Sequence, residues 1–258
     1  MDTKGIYKAQ KTNGDIYYRV SVNRYGKHIS LGSFSSSEYA SLCYKEANDI
    51  LSGNASISDY NDSYNISFEK FVVLINLRDN RIYFSNPIYL KTNYFLYYLD
   101  PDTILKFDKD DLFFYSRHKI MKRGNHFFYA EYGMQVNLNE RYGIMSYAVI
   151  GRDYIFKNED FFDYRYSNIE IINRYYGVSK ITVNGIDKFI AKIHINGYLK
   201  LGEYSTETEA AIAYNKAIDM LSKNNTKEYR QNDPGISPKD YATIYSNIKI
   251  SDKIRKYI

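Results

Sequence analysis

The stretch from Met145 to Ile169 carries groups that could do chemistry. Asp153, Glu159, Asp160 and Asp163 sit close together in sequence. Carboxylates so placed could hold a hard divalent cation such as magnesium. The same acids also suit a solvated turn and helix caps. Proton transfer near neutral pH calls for an imidazole, and no His occurs between His126 and His194. His118 and His126 precede the acidic stretch and fit structural roles. Cys43 is the only cysteine. It excludes an intramolecular disulfide and a Cys-based zinc site, and it fits a small buried side chain. The chain has no phosphate-cradling Gly loop and no nucleophile elbow.

Recognition chemistry comes from another part of the chain, Gly177 to Leu221. Phe189, Ala191 and Ile193 alternate with Ile190, Lys192 and His194, the period of a strand with one buried face. Asn196-Gly197 signals a hairpin, and Tyr198 to Tyr204 returns as a strand. Ser205 or Thr206 ahead of Glu209 predicts a helix N-cap. Ala210, Ala213, Tyr214, Ala217, Ile218 and Leu221 then form one helical stripe. Together these predict a small antiparallel sheet crossed by one helix.

The pattern recurs near the other end of the chain. Gly5-Ile-Tyr-Lys matches Gly177-Val-Ser-Lys. Tyr18, Val20 and Val22 match Phe189, Ala191 and Ile193, and Leu31-Gly-Ser-Phe34 matches Leu201-Gly-Glu-Tyr204. Ala40, Tyr44 and Ala47 match Ala210, Tyr214 and Ala217. The chain holds two copies of one module. Leu-Gly-x-[Phe/Tyr]-x-[Ser/Thr], followed by a helix with Ala-x-x-x-Tyr-x-x-Ala, resembles the Apetala-type DNA-binding domain of plant ethylene-response factors. Bacteria and phages carry that domain attached to HNH homing endonucleases. The resemblance covers both modules and implies that the outer face of each sheet lies in the major groove. It points to Tyr7, Lys11, Arg19, Ser21, His28 and Ser30 as contacts in the first module. In the second it points to Ser179, Lys192, His194, Tyr198 and Lys200. The plant domains use several Arg and Trp on this face, whereas this chain offers one Arg, a few Lys and His, and no Trp. Lys holds phosphate well but reads guanine less sharply than a bidentate Arg.

Between the modules, Met145-Ser-Tyr-Ala-Val-Ile-Gly151, Asp153-Tyr154 and Phe162-Asp-Tyr-Arg-Tyr-Ser-Asn-Ile169 resemble an HNH nuclease core. That family runs Leu-His-Arg, then Asp-His, then Leu-Asp-Asn-Arg-x-x-Asn-Leu. The resemblance matches its scaffold positions to Asp153, Asp163, Arg165, Asn168 and Ile169. Its two His and its Asn are matched by Ser146, Tyr154 and Tyr164. A tyrosine, with an ordinary pKa near ~10, neither takes a proton from water at pH 7 nor replaces a metal-binding imidazole. The resemblance therefore implies a nuclease fold without its catalytic residues, and neither a metal nor any other cofactor is expected.

Turn and strand signals divide the remaining chain. Polar residues 53–66 predict a linker. Phe71–Ile75 predicts a buried strand, Asp79-Asn80 a turn, and Arg81–Ser85 a returning strand. Tyr89–Leu99 and Ile104–Phe107 predict further aromatic strands or a short helix. Asp108–Asp111 predicts the cap of another short segment. His126–Ala130 and Met134–Asn137 predict a hairpin about Tyr132-Gly133. Ser222–Thr226 reads as a helix stop. In the tail, Ile248, Ile250, Ile254 and Ile258 could pack on the second module, while Lys253, Arg255 and Lys256 could instead meet a phosphate backbone.

The fold expected is α+β: two small modules of three-stranded antiparallel sheet plus helix, flanking a central α+β domain that resembles an HNH core. The boundaries are 1–52 for the first module, 53–66 for the linker, 67–173 for the central domain, 174–223 for the second module and 224–258 for the tail. Net charge is +5. The modules contribute +2 each, the tail +3, and residues 52–173 contribute −2. This distribution suits two nucleic-acid-binding heads on a neutral spacer. No apolar run is long enough to span a membrane and the first residues are not a signal peptide, so a cytoplasmic protein with no membrane partner is expected. The expected function is sequence-selective binding of double-stranded DNA without cleavage. Concretely, this is a transcriptional regulator descended from a homing endonuclease, encoded by a phage or mobile element. Two alternatives stay open: a metal-dependent DNA endonuclease with a carboxylate site, and a phage counter-defence protein that binds a host nucleoprotein.

Overall fold

The computed structural model describes residues 4–222 and 228–258. All but the first residue of the expected helix stop at 222–226 lies outside them. The chain forms two compact units. One comprises Met1–Leu138 with Asp160–Asn168, the other Asn139–Glu159 with Ile169–Ile258. The division falls inside the expected central domain, not at its ends.

The first unit opens with the first module. Strands β1 (Ile6–Gln10), β2 (Ile16–Arg24) and β3 (Lys27–Phe34) form an antiparallel sheet in sequence order. Helix α1 (Ser37–Ser52) lies against it. Ser36 caps the helix, its hydroxyl accepting from the Glu38 and Tyr39 amides, which satisfies donors that have no partner within the helix. Val20, Val22, Ile29 and Leu31 meet Ala40, Cys43, Ala47, Ile50 and Leu51 in the core. Phe34 and Tyr44 pack against it from the half-buried rim. Burial, with Glu46 adding to it, pushes the Cys43 thiol up to about 11, so it stays a neutral, inert core group.

Helix α2 (Phe68–Asn80) corrects the expected strand at Phe71–Ile75. Every residue from Phe71 to Leu77 is buried, because α1 and a sheet cover the helix from different sides. An apolar run without polar interruption carries no period to tell strand from helix. Asp79-Asn80 is the end of this helix, and 81–85 contains no strand. Residues 53–66 are not a bare linker either. The Glu46 carboxylate accepts hydrogen bonds from the Asn65 and Ile66 amides. Tyr60, Tyr64 and Phe71 form an aromatic cluster, with centroids 4.9 to 5.7 Å apart. The first module thus shares a continuous core with the helix that follows it.

Strands β4 (Ile88–Leu90), β5 (Tyr94–Tyr98) and β6 (Ile104–Asp108) form a second antiparallel sheet. Helix α3 (Leu112–Arg117) follows the acidic 108–111 turn. Strands β7 (Ile120–Arg123), β8 (His126–Glu131) and β9 (Met134–Asn137) form a third sheet, with the expected hairpin at Tyr132-Gly133. Residues 160–168 return to this unit through Lys106, whose amide donates to the Phe162 carbonyl and whose carbonyl accepts from Tyr164.

The second unit begins within a short helix, α4 (Leu138–Arg141), at Asn139, and contains the antiparallel pair β10 (Tyr154–Phe156) and β11 (Ile169–Ile171). The second module follows as β12 (Val178–Val183), β13 (Ile186–His194), β14 (Tyr198–Tyr204) and α5 (Glu207–Leu221). Its sheet order again follows the sequence. Thr206 caps α5 in a capping box with Glu209. The expected stripe, Ala210 to Leu221, is buried against Ala191, Ile193 and Leu201. Helix α6 (Pro238–Asn247) and the residues after it cover the other side of α5. Ile254 is buried, and Ile248 and Ile250 pack at the edge of the core. Ile258 does not join them and stays exposed.

Each module closes on one glycine. Gly5 has φ +82° and Gly177 φ +72°, a region that L side chains rarely adopt. A Cβ on Gly5 would overlap the Tyr44 ring, and one on Gly177 the Tyr214 ring. Gly177→Ala should therefore cost about 2–5 kcal/mol, combining backbone strain with overpacking. Gly185 has φ +77° with open space around it, so Gly185→Ala should cost only about 1–2 kcal/mol. Leu31→Ala should cost roughly 2–5 kcal/mol. Urea melts of the three variants check this ranking; equal destabilisation at the two glycines would show that the ring's approach contributes nothing.

Candidate nucleic-acid interface

The outer face of the first sheet is set by strand alternation. Tyr7 pairs with Arg19, and Asn23 with His28. Tyr7, Arg19, His28 and Ser30 are exposed. Arg19 donates to the Tyr17 hydroxyl at 2.7 Å and lies over that ring, which holds its guanidinium in place. Lys11 is exposed but stands in the β1–β2 turn, not on a strand. Ser21 corrects the expectation, because only 7% of it is exposed. The register shifts between Val20 and Ser21, and the Ser21 amide donates to the Gly5 carbonyl. The Gly5 turn therefore shields this short side chain.

The second module has the same shift, between Ala191 and Lys192, and the Lys192 amide donates to the Gly177 carbonyl. Here the longer side chain escapes the turn, and Lys192 is exposed. Lys192 sits directly across from Lys200. Like charges facing each other across strands destabilise a sheet, and an anion between them relieves the repulsion. Lys200 is also paired with Glu203. His194 faces Tyr198 with ring centroids 5.1 Å apart, and Tyr198 is 79% exposed. Ser179 is half-buried.

In this second unit the sheet face is one wall of a cleft of about 950 Å³. Ser179, Lys192, His194 and Tyr198 line it on that side, while Tyr147, Arg152, Tyr176 and Arg230 line it from other segments. The Asp153 carboxylate, at the base, accepts from the Val149 amide, the Arg152 guanidinium and the Asn173 amide. Burial alone would raise its pKa, but these bonds hold it below the ordinary carboxylate range. Sequence reasoning missed Arg152 and Arg230, which no motif marks and which lie far apart in sequence. The basic excess of the tail was the only signal for Arg230, and Arg152, in the slightly acidic middle of the chain, had none.

The HNH-like positions fall in both units. In the second, Ser146 is exposed and accepts from Arg230 at 3.2 Å. Tyr154 begins β10, half-buried, and burial raises its phenol pKa. It therefore remains protonated at neutral pH. In the first unit, Asp163 is buried, bonded to the Arg165 guanidinium at 2.6 Å and to Lys106 at 3.4 Å. The Asn168 amide donates to the Asp163 carbonyl, and Tyr164 is a buried ring beside Phe107. Asp163, Arg165 and Asn168 thus hold the turn together. Among the described residues no three His, Cys, Asp or Glu side chains gather as a candidate metal site. No helix there is long and apolar enough to cross a membrane.

Burial works to raise the Asp163 pKa, yet its bonds to Arg165 and Lys106 bring it below the ordinary carboxylate value. A depressed folded-state pKa stabilises the fold above the unfolded value, near ~4, and that stability is lost as pH falls through the folded value. Asp163→Asn should cost about 3 kcal/mol at pH 7, by leaving the Arg165 charge without its partner. It should also flatten the loss of stability below about pH 4. Melting curves from pH 7 to strongly acidic pH check both; an unchanged acid limb would assign the acid sensitivity to other carboxylates.

Compared with known proteins, this chain matches no family model, no curated protein and no solved structure.

Proposed function

We propose that this chain binds double-stranded DNA through its two sheet-helix modules and does not cut it. The reading is carried by the repetition of one module whose outer sheet face, in both copies, presents exposed cations and hydrogen-bonding groups. These are Arg19 and His28 in the first, and Lys192, His194 and Lys200 in the second. Two copies of a half-buried sheet suit a two-part site on a duplex. Contacts that position the protein should outweigh contacts that read bases, because lysines dominate the second face.

The central segments support descent from an HNH homing endonuclease. Of the residues that carry the resemblance, Tyr154 begins β10 and Ile169 begins β11, while Ser146 and Asp153 precede the pair. Ser146, Tyr154 and Tyr164 stand where that chemistry needs imidazole and amide groups, and a protonated phenol cannot replace them. A transcriptional regulator encoded by a phage or mobile element is the concrete form of this proposal.

Tethering makes the heads cooperate, since the second meets DNA at an effective concentration near ~mM once the first is bound. Because the first module shares its core with α2, the test keeps the chain whole. Arg19→Ala should weaken binding at one half-site, and Lys192→Ala with Lys200→Ala at the other. Each change should lower the salt slope by roughly one unit for every phosphate no longer neutralised. Selection of bound duplexes from a random pool, followed by titration of these variants at several salt concentrations, is the measurement. If no duplex binds at low salt the proposal fails, and a protein or nucleoprotein partner takes its place. Lasting strand breaks in plasmid DNA with magnesium or manganese would overturn the non-cleaving part.

A further inference from the structure

The cleft in the second unit has a chemistry that a duplex lying on the sheet face does not use. Its volume of about 950 Å³ falls within the range of small-ligand sites, roughly 300–1,000 Å³, and is too small to admit a double helix. Its cations are Arg152, Lys192 and Arg230, against the carboxylates of Asp153 and Glu228. Arg152 is bound to Asp153. Among the described residues, Lys192 and Arg230 have no carboxylate partner within ion-pair distance. A guanidinium carries five N–H donors, and Ser146 takes one of those on Arg230.

The walls are aromatic and fixed. Tyr176 meets the edge of Tyr147 at 5.1 Å and of Tyr214 at 5.7 Å, with the planes crossed at 80° and 81°. Tyr147 is further held by its hydroxyl, which donates to the Arg174 carbonyl, and by the Arg230 guanidinium 5.3 Å above its ring. Tyr176 remains 40% exposed. Such a ring is a stacking surface already oriented before a ligand arrives.

Cations without a carboxylate partner, beside an oriented aromatic wall, match a ligand that joins an anion to a planar ring. We propose that this cleft binds one nucleotide unit, with its phosphate on Arg230 and Lys192 and its base against Tyr176. The unit comes either from a free mononucleotide or from an unpaired stretch of a strand, and the two share this chemistry. The inference rests in part on the DNA-binding reading, because Ser179, Lys192, His194 and Tyr198 belong to both surfaces.

The experiment uses the whole chain and a fluorescent short oligothymidylate at low salt, read by anisotropy. Thymidine monophosphate and inorganic phosphate serve as competitors, and a labelled duplex is titrated in parallel. Arg230→Gln should weaken single-strand binding roughly tenfold, by removing charge-assisted hydrogen bonds. Tyr176→Ala should weaken it roughly 5–100-fold by removing the stacking surface, while Tyr176→Phe keeps the ring and should stay within about twofold. Competition by the mononucleotide assigns the cleft to free nucleotides, and competition by unlabelled strand alone assigns it to nucleic acid; either supports the proposal. Inorganic phosphate displacing the probe as well as the mononucleotide would overturn it, because the base would then contribute nothing. So would single-strand binding that is absent in the wild type or unchanged in both Arg230→Gln and Tyr176→Ala. Arg230 is exposed, so its variant remains a valid test if Tyr176→Ala melts early. Duplex binding without strand binding sinks the cleft and spares the duplex reading, whereas strand binding without duplex binding does the reverse.

Discussion

Both modules depend on a glycine that lets a tyrosine ring lie on the backbone. Gly5 sits under Tyr44 and Gly177 under Tyr214. The close approach joins the start of the sheet to the middle of the helix, so it fixes the helix across the strands. The same glycines accept hydrogen bonds from Ser21 and Lys192. Each therefore also sets the bulge that decides which side chains reach the outer face. One backbone position controls both the core and the surface, because absence of a Cβ permits close approach on one side while the carbonyl binds on the other.

What surrounds this shared unit differs. In the first module the helix is covered by α2 and by the aromatic residues of 53–66. In the second it is covered by α6 and the residues that follow, with Lys216 donating to the Tyr245 and Ile248 carbonyls. In both copies the core of the repeated element continues into segments outside it. Each copy recruits a different cover, and the cover determines what else lies beside the sheet. The second copy acquires the cleft in this way, since Tyr229 and Arg230 lie on the path from α5 to α6.

The modules were legible in the sequence because their signals are local: a strand period, a turn, a cap and a helical stripe. Thr206, Glu209 and the Ala210–Leu221 stripe fall where those signals put them. Phe71–Ile75 was misread because burial on all sides erases periodicity. Ser21 was misplaced because a register shift of one residue leaves no mark in composition. The packed role of Glu46 toward Asn65 and Ile66 was hidden in a stretch whose polar residues imitate a linker. Of the candidate interface, alternation put Lys192 and His194 on the outer face, where they are exposed, and the resemblance supplied the other positions, of which Lys11 stands in a turn and Ser21 is buried. Neither pointed to Arg152, Tyr147 and Arg230, because segments distant in sequence bring them together.

The return of residues 160–168 to Lys106 bears on how the chain is made. Domains fold as units during synthesis, N-terminal first, but the first unit here lacks a piece that emerges later. Asp163 and Arg165 arrive only after β10 has left the ribosome, so β6 waits with the Lys106 amide and carbonyl unpaired. The second unit cannot close at that moment either, since β11 and its module follow the same piece. The two units are thus interleaved in time as well as in sequence. A ribosome paused between residues 138 and 168 would hold a chain with an open sheet edge, the state most exposed to mispairing with a neighbour.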